Sequence, residues 1–95
     1  MNRIVWTEPA LKDMEGIRDY IALDSEFYAN ALMLDIVEAV ERLARFPRTG
    51  RFVPELHDRR TREVTVGSYR VAYDIVDDTV RVLTVLHGAR QFPLP

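Results

Sequence analysis

Six basic residues in the second half of the chain are of the types that handle a phosphodiester: Arg51, Arg62, Arg70, Arg81, His87 and Arg90. Cutting RNA without a metal needs a base to take the ribose 2′-hydroxyl proton, an acid to protonate the leaving oxygen, and cations to hold the phosphate as charge builds. Histidine is the side chain whose ordinary titration spans neutrality. His87 ends the apolar run "TVRVLTVL" and is the candidate titrating group. If Arg70 and Arg81 point outward from adjacent strands, the outer face of a sheet becomes cationic beside it. The plainer alternative pairs these arginines with Glu55, Glu63 and Asp74 and leaves His87 as a hydrogen-bonded strand end. His57 stands in a loop with no evident partner and reads as solvated.

Other chemistries lack their parts. There is no cysteine, so disulfides, thiolates and cysteine zinc sites are excluded. His57 and His87 are too few and too far apart for a metal cluster, and no acidic run has calcium-loop spacing. No phosphate-binding glycine loop, nucleotide fingerprint or serine triad is present. The sequence predicts no cofactor and no metal. No segment approaches the length of a membrane span and no signal-peptide core opens the chain, so the expectation is a cytoplasmic protein with no membrane partner.

Charge is segregated. Residues 1–41 hold nine acids against Arg3, Lys12 and Arg18, while residues 42–95 hold ten arginines against six acids. Twelve of the thirteen cations are arginine, whose planar fork suits carboxylates and phosphates. The excess peaks over residues 42–62, where Arg42, Arg45, Arg48, Arg51, Arg59, Arg60 and Arg62 face only Glu55 and Asp58. Arg42 and Arg45, in the last turns of a helix, complement its dipole.

The elements that must position these groups follow from periodicity. "RIVW" (3–6) is a short strand, Thr7 a cap and Pro9 a first-turn residue. Leu11, Met14, Ile17 and Ile21 then recur at helical spacing over about 8–22. Asp24 or Ser25 caps a second helix whose inward face is Ala29, Leu32, Ile36, Val40 and Leu43, broadened by Met33, Val37 and Phe46, and which Pro47 and Gly50 end. So short a link makes the two helices an antiparallel hairpin. Residues 47–61 form a long irregular connection, and loops of that length are functional or disordered. "REVTV" (62–66), "SYRVAYDIV" (68–76) and "TVRVLTVLH" (79–87) are strands joined at Gly67-Ser68 and Asp77-Asp78. Tyr69 and Tyr73 share the inward face with Val71 and Ile75. The reading is one α+β domain over residues 1–95, in the order strand–helix–helix–strand–strand–strand, with an antiparallel sheet and the N-terminal helical hairpin packed on one face.

In that order and spacing the chain resembles the RelE/ParE superfamily of toxins from bacterial type II toxin-antitoxin systems. "IVWTEPALKDMEGIRDYIA" resembles the family's opening strand and first helix, "LARFPRTGR" its helix ending, and "TREVTVGSYRVAYDIVDDTVRVLTVLHGARQFP" its sheet and "V.H..R" finish. The resemblance implies two branches. ParE-like members poison DNA gyrase; RelE-like members cut mRNA in the ribosome. Nuclease members typically carry several basic residues and a tyrosine or histidine near the C-terminus. Here His87 and Arg90 remain, Phe92 follows, and no tyrosine does. The expectation is therefore a ParE-like, non-catalytic gyrase inhibitor used in plasmid stabilization or growth arrest. The alternative is a ribonuclease using His87, Arg90, Arg70 and Arg81 on ribosome-bound mRNA. A third reading is a relic that only helps its antitoxin repress. The resemblance also implies a cognate antitoxin, with operator DNA reached only through it. Candidate partner-binding residues are Arg51, Arg59, Arg60 and Arg62, which would face an acidic antitoxin tail, and Phe27 and Tyr28, which do not fit the inward stripe of the hairpin.

Overall fold

The computed structural model of the chain describes residues 1–92. The order is β1 (Arg3–Trp6), α1 (Glu8–Ala22), α2 (Glu26–Arg42), β2 (Arg51–Phe52), β3 (Arg62–Val66), β4 (Tyr69–Val76) and β5 (Thr79–His87). The caps act as their residue types require. The Thr7 hydroxyl accepts from the Ala10 amide and donates to the Val82 carbonyl, so one side chain both starts α1 and ties it to β5. Ser25 accepts from the Tyr28 amide and starts α2. The two-residue turns need left-handed backbone: Gly67 sits at φ 58, and Asp77 and Asp78 at φ 47 and 59.

The sheet order is β1-β5-β4-β3-β2. β2 to β5 pair antiparallel as consecutive neighbours, but β1 runs parallel to β5, with Arg3 opposite Thr79 and Trp6 opposite Val82. The sheet is thus mixed rather than antiparallel throughout. The helices intervene between β1 and the rest, so the first strand returns beside the last. The irregular connection also holds a strand, β2, too short to show an alternation.

The helical hairpin covers one face. Ala10, Ile36, Val40, Val71, Val82 and Val85 are buried together, with Trp6, Met14 and Ile17 packed on them. Leu43, Tyr73 and Val80 continue this core past the end of α2. Two expected core residues point away: Leu11 is 54% and Phe46 61% exposed. Ala10 and Ala39 lie inside instead, because the helices approach the sheet on small side chains.

The opposite face is covered as well. Glu63, Arg70, Ala72, Asp74 and Leu86 are buried there or at its margin, although no helix lies over them. Glu55 of the long loop and Arg90 after β5 reach Arg70, and Arg81 of β5 reaches Asp74.

The exit from α2 is fixed by one hydroxyl. Tyr73 donates to the Pro47 carbonyl at 2.7 Å and accepts from the Gly50 amide at 2.9 Å. A Cβ at Gly50 would stand 2.6 Å from that hydroxyl oxygen and 2.7 Å from the Glu63 carbonyl oxygen, so only glycine allows the approach. Gly50→Ala is expected to destabilise the fold by about 1–3 kcal/mol through overpacking. Tyr73→Phe, which strands a buried amide, should cost about 1–3 kcal/mol. Urea unfolding midpoints check both, and a Gly50→Ala midpoint equal to wild type would show that the loop can back away freely.

Candidate functional site

β4 carries Arg70 onto the face away from the helices, where it is 8% exposed. Its guanidinium is fully engaged. Nε donates to Glu63 Oε1 at 2.8 Å, and Nη1 and Nη2 donate to the two oxygens of Glu55 at 2.8 Å each. Nη1 also donates to the Arg90 carbonyl at 3.2 Å. The far oxygen of Glu63 accepts from Arg51 Nε at 2.8 Å. The result is a chain of alternating charge, Arg51–Glu63–Arg70–Glu55. It closes onto the C-terminal segment through the Phe92 amide, which donates to Glu55 at 3.0 Å. The Phe92 ring lies 5.9 Å from the Arg70 guanidinium carbon.

Titration follows these contacts. Hydrogen bonds from Arg70 and then from the Phe92 amide hold the Glu55 carboxyl down at about 2, against a smaller opposing effect of burial. Arg70 is pushed above its ordinary value, first by Glu55 and, against burial, by Glu63 as well. Arg81 is a separate pair: Nε and Nη2 take the two oxygens of Asp74 at 2.8 and 2.6 Å, which raises the Arg81 pKa.

The expected cationic outer face is therefore a neutralised one. Arg70 and Arg81 do lie on adjacent strands, but each meets carboxylates, as the pairing alternative from Glu55, Glu63 and Asp74 has it.

His87 and Arg90 stand at the rim of a cleft of about 500 Å³, with Arg70, Glu55 and Arg51 also lining it. The structure thus gathers three of the four sequence-predicted catalytic residues and leaves Arg81 in its own pair with Asp74. His87 is exposed, packs edge-on to Tyr69 at 5.3 Å, and its Nδ1 accepts from the Ala89 amide at 3.1 Å. A neutral ring in that bond carries its proton on Nε2 and has no free lone pair. It can act as a base only after breaking the bond. A phosphate entering the cleft would also have to displace Glu55 or Glu63 to reach Arg70. Among the described residues no group of three or more histidine, aspartate or glutamate side chains could hold a metal.

The predicted partner residues fall in separate places. Phe27 and Tyr28 are 77% and 68% exposed near the turn between the helices, edge to face at 5.7 Å. Tyr20 and Leu23, equally exposed, extend that apolar tip. Arg51 belongs to the cleft. Arg59, Arg60 and Arg62 lie on the other side of the long loop, around Phe52. Sequence reasoning misses Phe52; the only signal is an aromatic set between Arg51 and the Arg59–Arg62 run.

A profile described as the ParE toxin of the type II toxin-antitoxin system, parDE, matches residues 4–92. The chain belongs to the ParE toxin family. It is 36% identical over 91 residues to Toxin RelE2 of Caulobacter vibrioides, covering 95% of this chain and 99% of that protein. It is 36% identical over 93 residues to the putative toxin Y4kP of Sinorhizobium fredii, covering 96% and 93%. Among solved structures, the chromosomal ParDE system from P. aeruginosa shares the fold at TM-score 0.76 and 23% identity, over 92% of this chain and 96% of that one. The RelBE2 toxin-antitoxin complex from Mycobacterium tuberculosis matches at TM-score 0.65 and 25% identity, over 90% and 96%. Both branches of the RelE/ParE superfamily are thus represented among its relatives, and this ParE-family toxin has the α+β architecture of both structures.

The Glu55 latch sets a pH dependence. A carboxyl held low in the folded state contributes stability that is present above the unfolded carboxylate range and is lost as pH falls toward about 2. Glu55→Gln should therefore be less stable than wild type at neutral pH, and the gap should close as pH drops from about 4.5 to about 2. Paired urea titrations across that range check it; a gap that stays constant with pH would place the carboxylate outside the latch.

Proposed function

We propose that this chain is the toxin of a type II toxin-antitoxin pair, that it inhibits DNA gyrase by binding without cutting a substrate, and that a cognate antitoxin neutralises it. The observation that carries the non-catalytic reading is the engagement of Arg70 by Glu55 and Glu63. An arginine that holds two carboxylates is not available to a phosphate, and the cleft around it is close to neutral. The Nδ1 bond of His87 supports the same reading, since the one candidate acid-base group is directed to its own backbone. A second reading, ribosome-dependent mRNA cleavage, draws on the meeting of Arg70, His87 and Arg90 at one cleft. The antitoxin reading draws on the toxin-antitoxin complexes that share the fold, and on the apolar tip of Tyr20, Leu23, Phe27 and Tyr28. Aromatic anchors of this kind carry much of the energy of protein interfaces.

The deciding experiment runs a gyrase supercoiling assay beside a ribosome-dependent mRNA cleavage assay on the purified chain. Loss of supercoiling with intact mRNA is expected, and growth arrest in cells should come with DNA-damage signalling. His87→Ala should keep its fold and retain most of its toxicity. Cleaved mRNA in ribosome complexes, or a folded His87→Ala chain with no toxicity and full gyrase binding, reverses the order of the two readings. An unpartnered chain that leaves growth untouched would indicate a relic acting only with its antitoxin. Phe27→Ala/Tyr28→Ala should weaken antitoxin binding by at least tenfold, roughly what the loss of one interface anchor costs. Titration calorimetry reads it.

A further inference from the structure

The arginines clustered in the sequence between residues 42 and 62 divide in the folded chain. Arg51 turns to the cleft and is taken by Glu63. Arg48, Arg59, Arg60 and Arg62 instead line one recess of about 200 Å³ with Phe52, at the far end of β4 from the cleft. Arg62 and Phe52 are partners across the β2–β3 ladder, which sets the Arg62 guanidinium carbon 4.2 Å from the ring centre. Arg59 sits over the same ring at 5.4 Å. Arg62 Nη1 is further held by the carbonyls of Gly50 at 2.8 Å and Arg48 at 3.3 Å.

The turn that presents Arg59 and Arg60 is tied at its base. Asp58 Oδ1 accepts from the amides of Arg60 and Thr61 at 2.9 and 3.0 Å, and Oδ2 accepts from the Thr61 hydroxyl at 2.9 Å. These bonds, the Thr61 amide foremost, hold the Asp58 carboxyl below its ordinary range, so it stays ionised. Arg59 itself takes a left-handed backbone, φ 54. Among the described residues, the ion pairs are made by Lys12, Arg18, Arg51, Arg70 and Arg81, and none by these four arginines. The acid that lines the recess, Asp74, gives both oxygens to Arg81.

We infer that this recess binds the phosphodiester backbone of a nucleic acid. Arg48, Arg59, Arg60 and Arg62 line one small hollow, and among the described residues none of them pairs with a carboxylate. Arg62 is held by backbone carbonyls and adds charge, while a guanidinium fork left free matches two oxygens of a phosphate. An acidic peptide, such as the antitoxin tail that the sequence suggests, would also be attracted. Such a peptide gains its affinity from apolar side chains buried in desolvated pockets. Here the central aromatic, Phe52, is already covered by the Arg59 and Arg62 guanidinium groups, and four of the seven lining residues are arginine, Ile75 being the one aliphatic side chain. A phosphate backbone requires only the positioned cations. The toxin would then touch nucleic acid itself, where the sequence expects operator DNA to be reached only through the antitoxin. This mode of binding is independent of how the toxin acts on its target.

The test measures fluorescence anisotropy of the full chain with a mixed-sequence DNA duplex and, separately, a single-stranded RNA, as salt is raised. Affinity should fall with salt, and Arg59→Gln/Arg60→Gln should reduce the magnitude of the log–log slope by about two on whichever polymer binds, roughly one for each phosphate left without its arginine. Arg3→Gln/Lys12→Gln makes the same change in net charge elsewhere and should leave the slope as in wild type. The tighter of the two polymers names the source of the backbone. Equal slopes for the two variants, or no binding to either polymer, overturn the inference. So does displacement of the nucleic acid by polyglutamate at lower charge concentration than by unlabelled duplex, which would assign the recess to an acidic peptide.

Discussion

Arg70 reaches out from the middle of the sheet on the face that has no helices, and the order of everything above it follows from satisfying that one buried guanidinium. A charge taken out of water is costly unless its donors are filled, and losing one partner of such a pair costs about 3–5 kcal/mol. Glu63 on the neighbouring strand fills one side. The remaining donors need groups that the sheet does not have, so Glu55 comes from the long loop and the Arg90 carbonyl from the segment after β5. A long connection with little regular structure is thereby held by ion pairs as well as by the buried Val53. The same commitment uses the most central cation of the cleft for architecture.

Tyr73 plays the matching part on the helix side. Its neighbours in β4 alternate, so Arg70 and Tyr73 look to opposite faces while standing three residues apart. One holds the loop by charge, the other holds the helix exit by a single hydroxyl whose proton burial makes harder to remove. β4 is the strand that both coverings grip, and it is buried from Arg70 to Asp74.

The boundaries of β1, α1, β3 and β5 were legible in the sequence because caps, turn residues and periodicity agree there. Thr7, Ser25, Gly67 and the Asp77-Asp78 pair are local signals, and the backbone obeys them. Pairing is not a local signal. Nothing in "RIVW" says that its partner lies far along the chain, at Thr79 to Val82, or that it runs parallel. The two residues of β2 cannot show a period. Leu11 fits the helical stripe by spacing yet turns outward, and Phe46 continues that spacing past Arg42, where α2 has already ended. For the candidate site, composition identified Glu55, Glu63 and Asp74 as possible partners of the arginines. It could not say that Arg51, Arg70 and Arg81 would be neutralised while Arg48, Arg59, Arg60 and Arg62 would not. That division depends on which way each strand residue and loop residue turns, and alternation is undefined in a loop.

The parallel pairing of β1 with β5 bears on the order in which the chain can become itself. A ribosome delivers β1 and both helices first, and the strands that cover their apolar face come last. Domains emerging N-terminus first leave such surfaces open while the remainder is made, and pairings this distant in sequence form slowly. Until Thr79 to Val82 have emerged, Ile4 and Trp6 have no strand to lie against, and the valines of β4 and β5 are missing from beneath Ile36 and Val40. The nascent hairpin is then an amphipathic pair with an empty side, open to whatever apolar helix or chaperone reaches it before the chain's own sheet does. Capture at that stage would act on a toxin that does not yet exist.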